Sequence, residues 1–237
     1  MPHLFIDISA HGFGHLAQTA PVLEALTAQI PELRLTIRSS LPAAHLRLRI
    51  SHPFAHVAAA SDLCFLMHDA VRIDHEASAA AYRAFHADWS ARVAAEAGML
   101  TSLAPDLVFA NVSALPLAGA RRAGIPALAM CSLNWADQFA FLFGDAAWAR
   151  AIHAELQDAY ANADAFLRCT PAAPMPALSN AIAVPPVARV GHADRAALAA
   201  ALITYRTRGA LRDVGRALGF STAQIDALTG SLAWWDK

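Results

Sequence analysis

Lysine is almost absent from this chain: Lys237 is the only one, so nearly all the positive charge is arginine. Charge of either sign is sparse. Lys+Arg 18 against Asp+Glu 19 leaves a net charge of −1, which excludes a chain-wide basic footprint for nucleic acid but not a local one. Cysteine is scarce too. Cys64, Cys131 and Cys169 are scattered and odd in number, which fits neither a disulfide framework nor a zinc knuckle and points to a reducing, cytoplasmic setting. Long hydrophobic runs are missing. The longest uncharged stretch, 169–188, carries Pro171, Pro174, Pro176, Pro185 and Pro186, so no membrane-spanning helix is expected. The opening MPHLFIDISA has no basic lead and places Asp7 in its apolar run, unlike a signal peptide.

What is present is apolar: 57% hydrophobic residues against 16% charged gives ample material for a core and argues against disorder. A chain of 237 residues holds one domain with an appendage, or two small ones.

Leu4–Ser9 reads as a buried strand, the loop AHGFGH follows, and Leu16, Ala20, Leu23 and Leu26 recur at helical spacing. Pro21 is expected near the start of that helix. Leu33–Arg38 alternates as a second strand, which completes a βαβ unit. His56–Ala60 and Cys64–Met67 are short strand candidates, and Glu76–Leu103 reads as one long helix. Leu107–Asn111, Ser113–Ala123 and Ala127–Cys131 repeat strand–helix–strand, with Gly124 closing the helix. Trp148–Ala163 reads as helix and Ala165–Arg168 as strand. The pattern predicts an α/β fold with a Rossmann-like open parallel sheet over 1–170, then a Pro-rich connection over 171–189. A helical tail over 190–237 follows, with Arg195, Arg206, Arg208, Arg212 and Arg216 giving it a basic bias.

In an open parallel sheet, ligands bind beyond the carboxyl ends of the strands, so His11-Gly12-Phe13-Gly14-His15 lies at the binding edge. Its glycines allow close backbone approach, and a histidine there suits general-base work near neutral pH. Against this stands the plainer reading of His11 and His15 as loop polar residues, two of 11 histidines. The other histidines show no metal-ligand spacing. His52 and His56 stand four apart, but Pro53 argues against a helix there. Neither a metal nor a cofactor is expected.

HGFGHLAQTAPVLEAL resembles the first loop and helix of GT-B glycosyltransferases. It is most similar to the group that includes the glycosyltransferase-like part of L-arabinokinases. The stretch DLVFANVSALPLAGARRAGIPALAMCSLNWADQF, 106–139, agrees with the same group in order and spacing, so the likeness runs over roughly 3–185. It implies the N-terminal half of a GT-B fold, a nucleotide-sugar donor, a hydroxyl acceptor, and His15 as the base on that hydroxyl. The residue orienting the base falls at Asn111, where the family often has Asp. His11, Gly12, Phe13, Gly14, Asn134 and Trp135 are then the acceptor-side residues. An amide holds an imidazole but cannot offset the charge of an imidazolium. In such enzymes the donor binds mainly in a second domain of similar size, and only about 50 residues follow Pro186. The expectation is therefore a truncated, acceptor-side unit, weakly active or inactive unless a partner chain supplies the donor domain.

The tail has another likeness. YRTRGALRDVGRALGFS, within 190–237, resembles part of bacterial C-family DNA polymerases, especially the error-prone branch of the polymerase III alpha type. Two-metal nucleotidyl transfer needs clustered carboxylates, and no Asp-x-Asp pair occurs in the chain. At most this implies a weak DNA contact through arginines. The two resemblances meet near 189–194, so a fused gene whose product has no function is a further reading.

Overall fold

The computed structural model describes residues 1–69, 72–188, 221 and 223. The chain divides into two compact units, 1–189 and 190–237. The expected tail helices fall outside the described residues; the account below concerns the first unit.

Seven strands form one parallel sheet in the order β3-β2-β1-β4-β5-β6-β7. They are β1 (His3–Ile8), β2 (Arg34–Arg38), β3 (Phe54–Val57), β4 (Leu107–Asn111), β5 (Ala127–Cys131), β6 (Ala165–Cys169) and β7 (Ala181–Val184). Every pairing is parallel, as strand–helix–strand alternation requires. The order reverses between β1 and β4, which makes that crevice the topological switch point.

Seven helices accompany the strands among the described residues: α1 (Gly14–Gln29), α2 (Ala43–Arg47), α3 (His75–His86), α4 (Trp89–Leu103), α5 (Ala114–Ala123), α6 (Trp135–Phe143) and α7 (Ala149–Ala161). None is long and apolar enough to cross a membrane. Two cores form because side chains alternate across each strand. Leu4, Ile6 and Ile8 of β1 join Leu16, Ala20 and Leu23 of α1 in one. Phe5 joins Val108, Ala110 and residues of α3 to α7, among them Tyr82, Leu117 and Ile152, in the other. Burial on both faces explains why the central strands read as unbroken apolar runs.

Asp7 interrupts such a run and is nonetheless buried. Its register partner on β2 is Arg38. The Arg38 guanidinium donates from Nε to Asp7 Oδ2 at 2.5 Å and from Nη1 and Nη2 to Glu96 of α4 at 2.8 and 2.6 Å. Burial alone pulls the guanidinium down, but Asp7 and Glu96 together hold it above the ordinary arginine value. Ser61 and Ser113 donate to the other Asp7 oxygen at 2.7 and 2.5 Å. The network is thus satisfied on every side, which buried charge requires. Where α5 crosses α4, Gly119 lies against Glu96. A Cβ on Gly119 would overlap Glu96 Cγ and stand 2.8 Å from its Cβ.

Four sequence expectations need correction. The helix expected over Glu76–Leu103 is two helices, α3 and α4, broken at Ala87-Asp88. Asp is a poor helix-interior residue, and Asp88 leaves helical geometry at φ −118°, ψ 36° in the position just before α4, without a side-chain capping bond. Pro21 lies inside α1 because the helix begins seven residues before it, at Gly14. Cys64–Met67 forms no strand; Met67 makes only an isolated antiparallel bridge with Ile73. The Pro-rich stretch over 171–189 contains β7, which pairs with β6, so the sheet continues past 170 as far as Val184. Four apolar residues, AIAV, are enough for an edge strand, and the prolines lie outside it.

Candidate functional site

Gly12 turns the chain out of β1 with φ +76°, a left-handed conformation that favours glycine. The loop then enters α1, whose second residue is His15. On β4, Phe109 packs in the α1-side core, and by alternation Asn111 faces the same way. Asn111 pairs with Ile8 across the switch point. Two segments 96 residues apart therefore bring His15 and Asn111 together.

The hydrogen bonds fix their roles. Thr19 Oγ1 donates to the His15 carbonyl at 2.8 Å. It is then free to accept from Asn111 Nδ2, at 3.1 Å. That turns Asn111 Oδ1 toward the ring, 2.9 Å from His15 Nδ1. The ring nitrogen must donate, so the neutral tautomer carries its proton on Nδ1 and keeps the lone pair on Nε2. Cys131 Sγ lies 3.8 Å from the same Nδ1. Burial pulls the imidazole below the ordinary histidine value. The Asn111 bond and the charge of Asp62 work upward, and His11 works downward. The site can hold a neutral imidazole, oriented at Nδ1, as a proton acceptor at neutral pH.

Trp135 covers this histidine. Its ring centroid is 6.1 Å from that of His15 and 5.5 Å, edge-on, from that of His11. The indole Nε1 donates to Asp62 Oδ2 at 3.1 Å. Asp62, in the irregular segment after β3, is a residue the sequence reading missed. It is partly buried. Burial and the nearby Asp7 raise its carboxyl above the usual range, while bonds from Ser9 and Trp135 and the proximity of His15 pull it down. Asp62 and Trp135 also line a cavity of about 10 Å³ with Tyr82, His86 and Trp89.

Of the residues singled out from sequence, His11, His15, Asn111 and Trp135 meet in one place, with Gly12 and Gly14 shaping the loop. Phe13 is 61% exposed and turns away, packing edge-on against His45 at 5.3 Å between centroids. Asn134 is fully buried and engaged in capping α6. Its Oδ1 accepts from the Asp137 amide at 2.7 Å and its Nδ2 donates to Asp137 Oδ2 at 2.9 Å. Among the described residues, no group of three His, Cys, Asp or Glu side chains is arranged to hold a metal ion.

No family model matches the chain. It is similar to error-prone DNA polymerases over a short stretch. One from Dechloromonas aromatica is 84% identical over 44 residues, which is 19% of this chain and 4% of the polymerase. One from Azoarcus is 80% identical over 44 residues, again 4% of its length. Among solved structures it is similar to MurG of Acinetobacter baumannii, at 14% identity and a TM-score of 0.43, covering 81% of this chain and 47% of that one. It is also similar to a UDP-glucosyltransferase from Polygonum tinctorium, at 12% identity and a TM-score of 0.49, covering 83% and 55%. The chain thus spans about half of these structures and a small fraction of the polymerases.

Proposed function

We propose that residues 1–188 act as the acceptor-side unit of a GT-B-type glycosyltransferase. The observation that carries the reading is His15, held in its Nδ1–H tautomer by Asn111 at the switch point of a parallel sheet. In the reaction, Nε2 of His15 takes the proton of an acceptor hydroxyl. The oxygen bonds to the anomeric carbon of a nucleotide sugar, and the bond from that carbon to phosphate breaks. The nucleoside diphosphate leaves with the electron pair. The donor is held by a second domain or a partner chain. Trp135 and His11 flank the acceptor.

The test uses the full chain. Calorimetry against sugar and phenolic hydroxyl acceptors reads acceptor binding, and release of nucleoside diphosphate from UDP-, dTDP- and GDP-sugars reads transfer. The expected result is saturable acceptor binding, with any transfer falling about 10²–10⁴-fold in His15→Ala. Transfer undiminished in His15→Ala overturns the assignment of the base. Saturable binding of a nucleotide sugar by the chain alone overturns the acceptor-side half.

A second reading rests on the 84% identity to an error-prone polymerase over 44 residues. In it, the arginine-rich segment 190–237 contacts DNA phosphates. DNA binding that weakens with salt and disappears when 190–237 is deleted supports it; binding that survives the deletion counts against it.

A further inference from the structure

Asn111 leaves an electrostatic gap. On taking up a proton, His15 becomes a cation in a place where it is 7% exposed, and its amide partner brings no charge to offset this. Asp7 is already bound to Arg38, Ser61 and Ser113. Asp137 of α6 is engaged by Asn134, which leaves Asp62, on the Trp135 indole, as the carboxylate placed beside His15. The segment around Asp62 has no regular structure, yet three successive residues are each tied to a different element. Ser61 Oγ donates to Asp7 of β1 at 2.7 Å. The Leu63 carbonyl accepts from Tyr82 of α3 at 2.8 Å. Between them, Asp62 accepts from the Trp135 indole of α6 at 3.1 Å. The same indole packs against both His15 and His11.

We propose that Asp62 is the positioning carboxylate of His15: held by the Trp135 indole that packs on the same ring, it supplies the negative charge that supports the His15 imidazolium where Asn111 has none. This rests on the base role given to His15 above. The titratable groups facing His15 are His11, Asp62 and Cys131. His11 opposes protonation. The Cys131 thiol, pushed up by burial, stays neutral. Asp62 is therefore the group among them that favours the cation.

The experiment is an NMR titration of the His15 ring in the full chain, its resonance assigned by its loss in His15→Gln. Asp62→Asn keeps the size of the side chain and its acceptor for the indole while removing the charge. The expected result is a lower His15 midpoint in Asp62→Asn, with Asp62→Glu remaining nearer the wild type. A midpoint unmoved or raised in a folded Asp62→Asn protein overturns the proposal. If that variant does not fold, Asp62→Ser makes the same comparison. No substrate enters the measurement, so its outcome is separate from that of the transfer assay. A lowered midpoint in a chain that binds no sugar or phenolic hydroxyl acceptor upholds the His15–Asp62 coupling and rejects the acceptor-side reading alone.

Discussion

His15 Nδ1 and Asn111 Oδ1 lie 2.9 Å apart at the point where the sheet reverses its strand order, and the amide fixes the ring's tautomer without adding charge. Replacing Asn111 by Asp keeps an acceptor at Nδ1 and makes it anionic. The charged imidazole is then favoured, so the midpoint of His15 rises in Asn111→Asp. The same NMR titration reads it, and an unmoved midpoint shows that the side chain has left the ring.

Two glycines in neighbouring helices should respond oppositely to alanine. Gly119→Ala forces a Cβ into Glu96, whose carboxylate is pinned by Arg38, and should cost about 1–3 kcal/mol. Gly98 is exposed on α4, and a Cβ added there would meet nothing within 4 Å, so Gly98→Ala should stabilise by about 0.5–1 kcal/mol. Urea denaturation of both variants checks the signs. Equal effects would mean that α4 and α5 do not meet at Gly119.

The Arg38 network and a surface pair offer a second contrast. Glu96→Ala removes one of two carboxylates from a buried guanidinium and should cost about 3–5 kcal/mol. Arg121→Ala removes an exposed bridge to Asp158 and should change stability by less than about 1 kcal/mol. Both are read from denaturation midpoints at one pH.

Acidification should weaken the fold as the buried histidines take up protons. His3, His15 and His86 are buried, and burial is the first cause lowering each of them; Arg34 adds to the effect at His3, while Glu155 opposes it at His86. A histidine lowered in the folded state binds fewer protons there than in the unfolded chain. Its contribution is present above the ordinary value of about 6.5 and is lost as pH falls through the folded value. Asp62 is raised and has the opposite sign, in a window that opens from the carboxylate range upward. The urea midpoint should therefore drop between about pH 7.5 and 5.5, and an unchanged midpoint would falsify the neutral burial of these rings.

The thiols should separate by accessibility. Cys131 and Cys169 are buried and Cys64 is partly exposed. Burial raises all three, Cys169 to about 11. A thiol reagent should modify Cys64 in the native protein and reach the other two only with denaturant. Rapid native labelling of Cys131 would contradict the packing around His15.

The central strands were readable because residues such as Phe5, Ile6, Val108 and Phe109 are apolar on both faces, and the helices because their apolar residues keep a helical period. His15 drew notice because it lies where the loop after β1 enters α1, whereas Asn111 was singled out only through the glycosyltransferase resemblance. Asp62 was not: its segment has no period, and it is drawn to the site by bonds made through Ser61, Leu63 and Trp135, far apart in sequence. Helix α6 did carry a signal. Asn134 and Asp137, three apart, form the reciprocal cap that opens it, and a resemblance that assigned Asn134 to an acceptor obscured that reading. The break at Asp88 was hidden because alanine-rich apolar spacing continues across it.

The Asp7–Arg38–Glu96 network has a consequence for how the unit comes apart. It joins β1, β2 and α4, three elements drawn from the first 103 residues, through one guanidinium. Peeling away any one of them strands opposite charge in an apolar interior. Local opening there is therefore suppressed in favour of release as a block. In native-state hydrogen exchange, the slow amides of β1, β2 and α4 should share a single opening free energy, and Glu96→Ala should split them into separate groups.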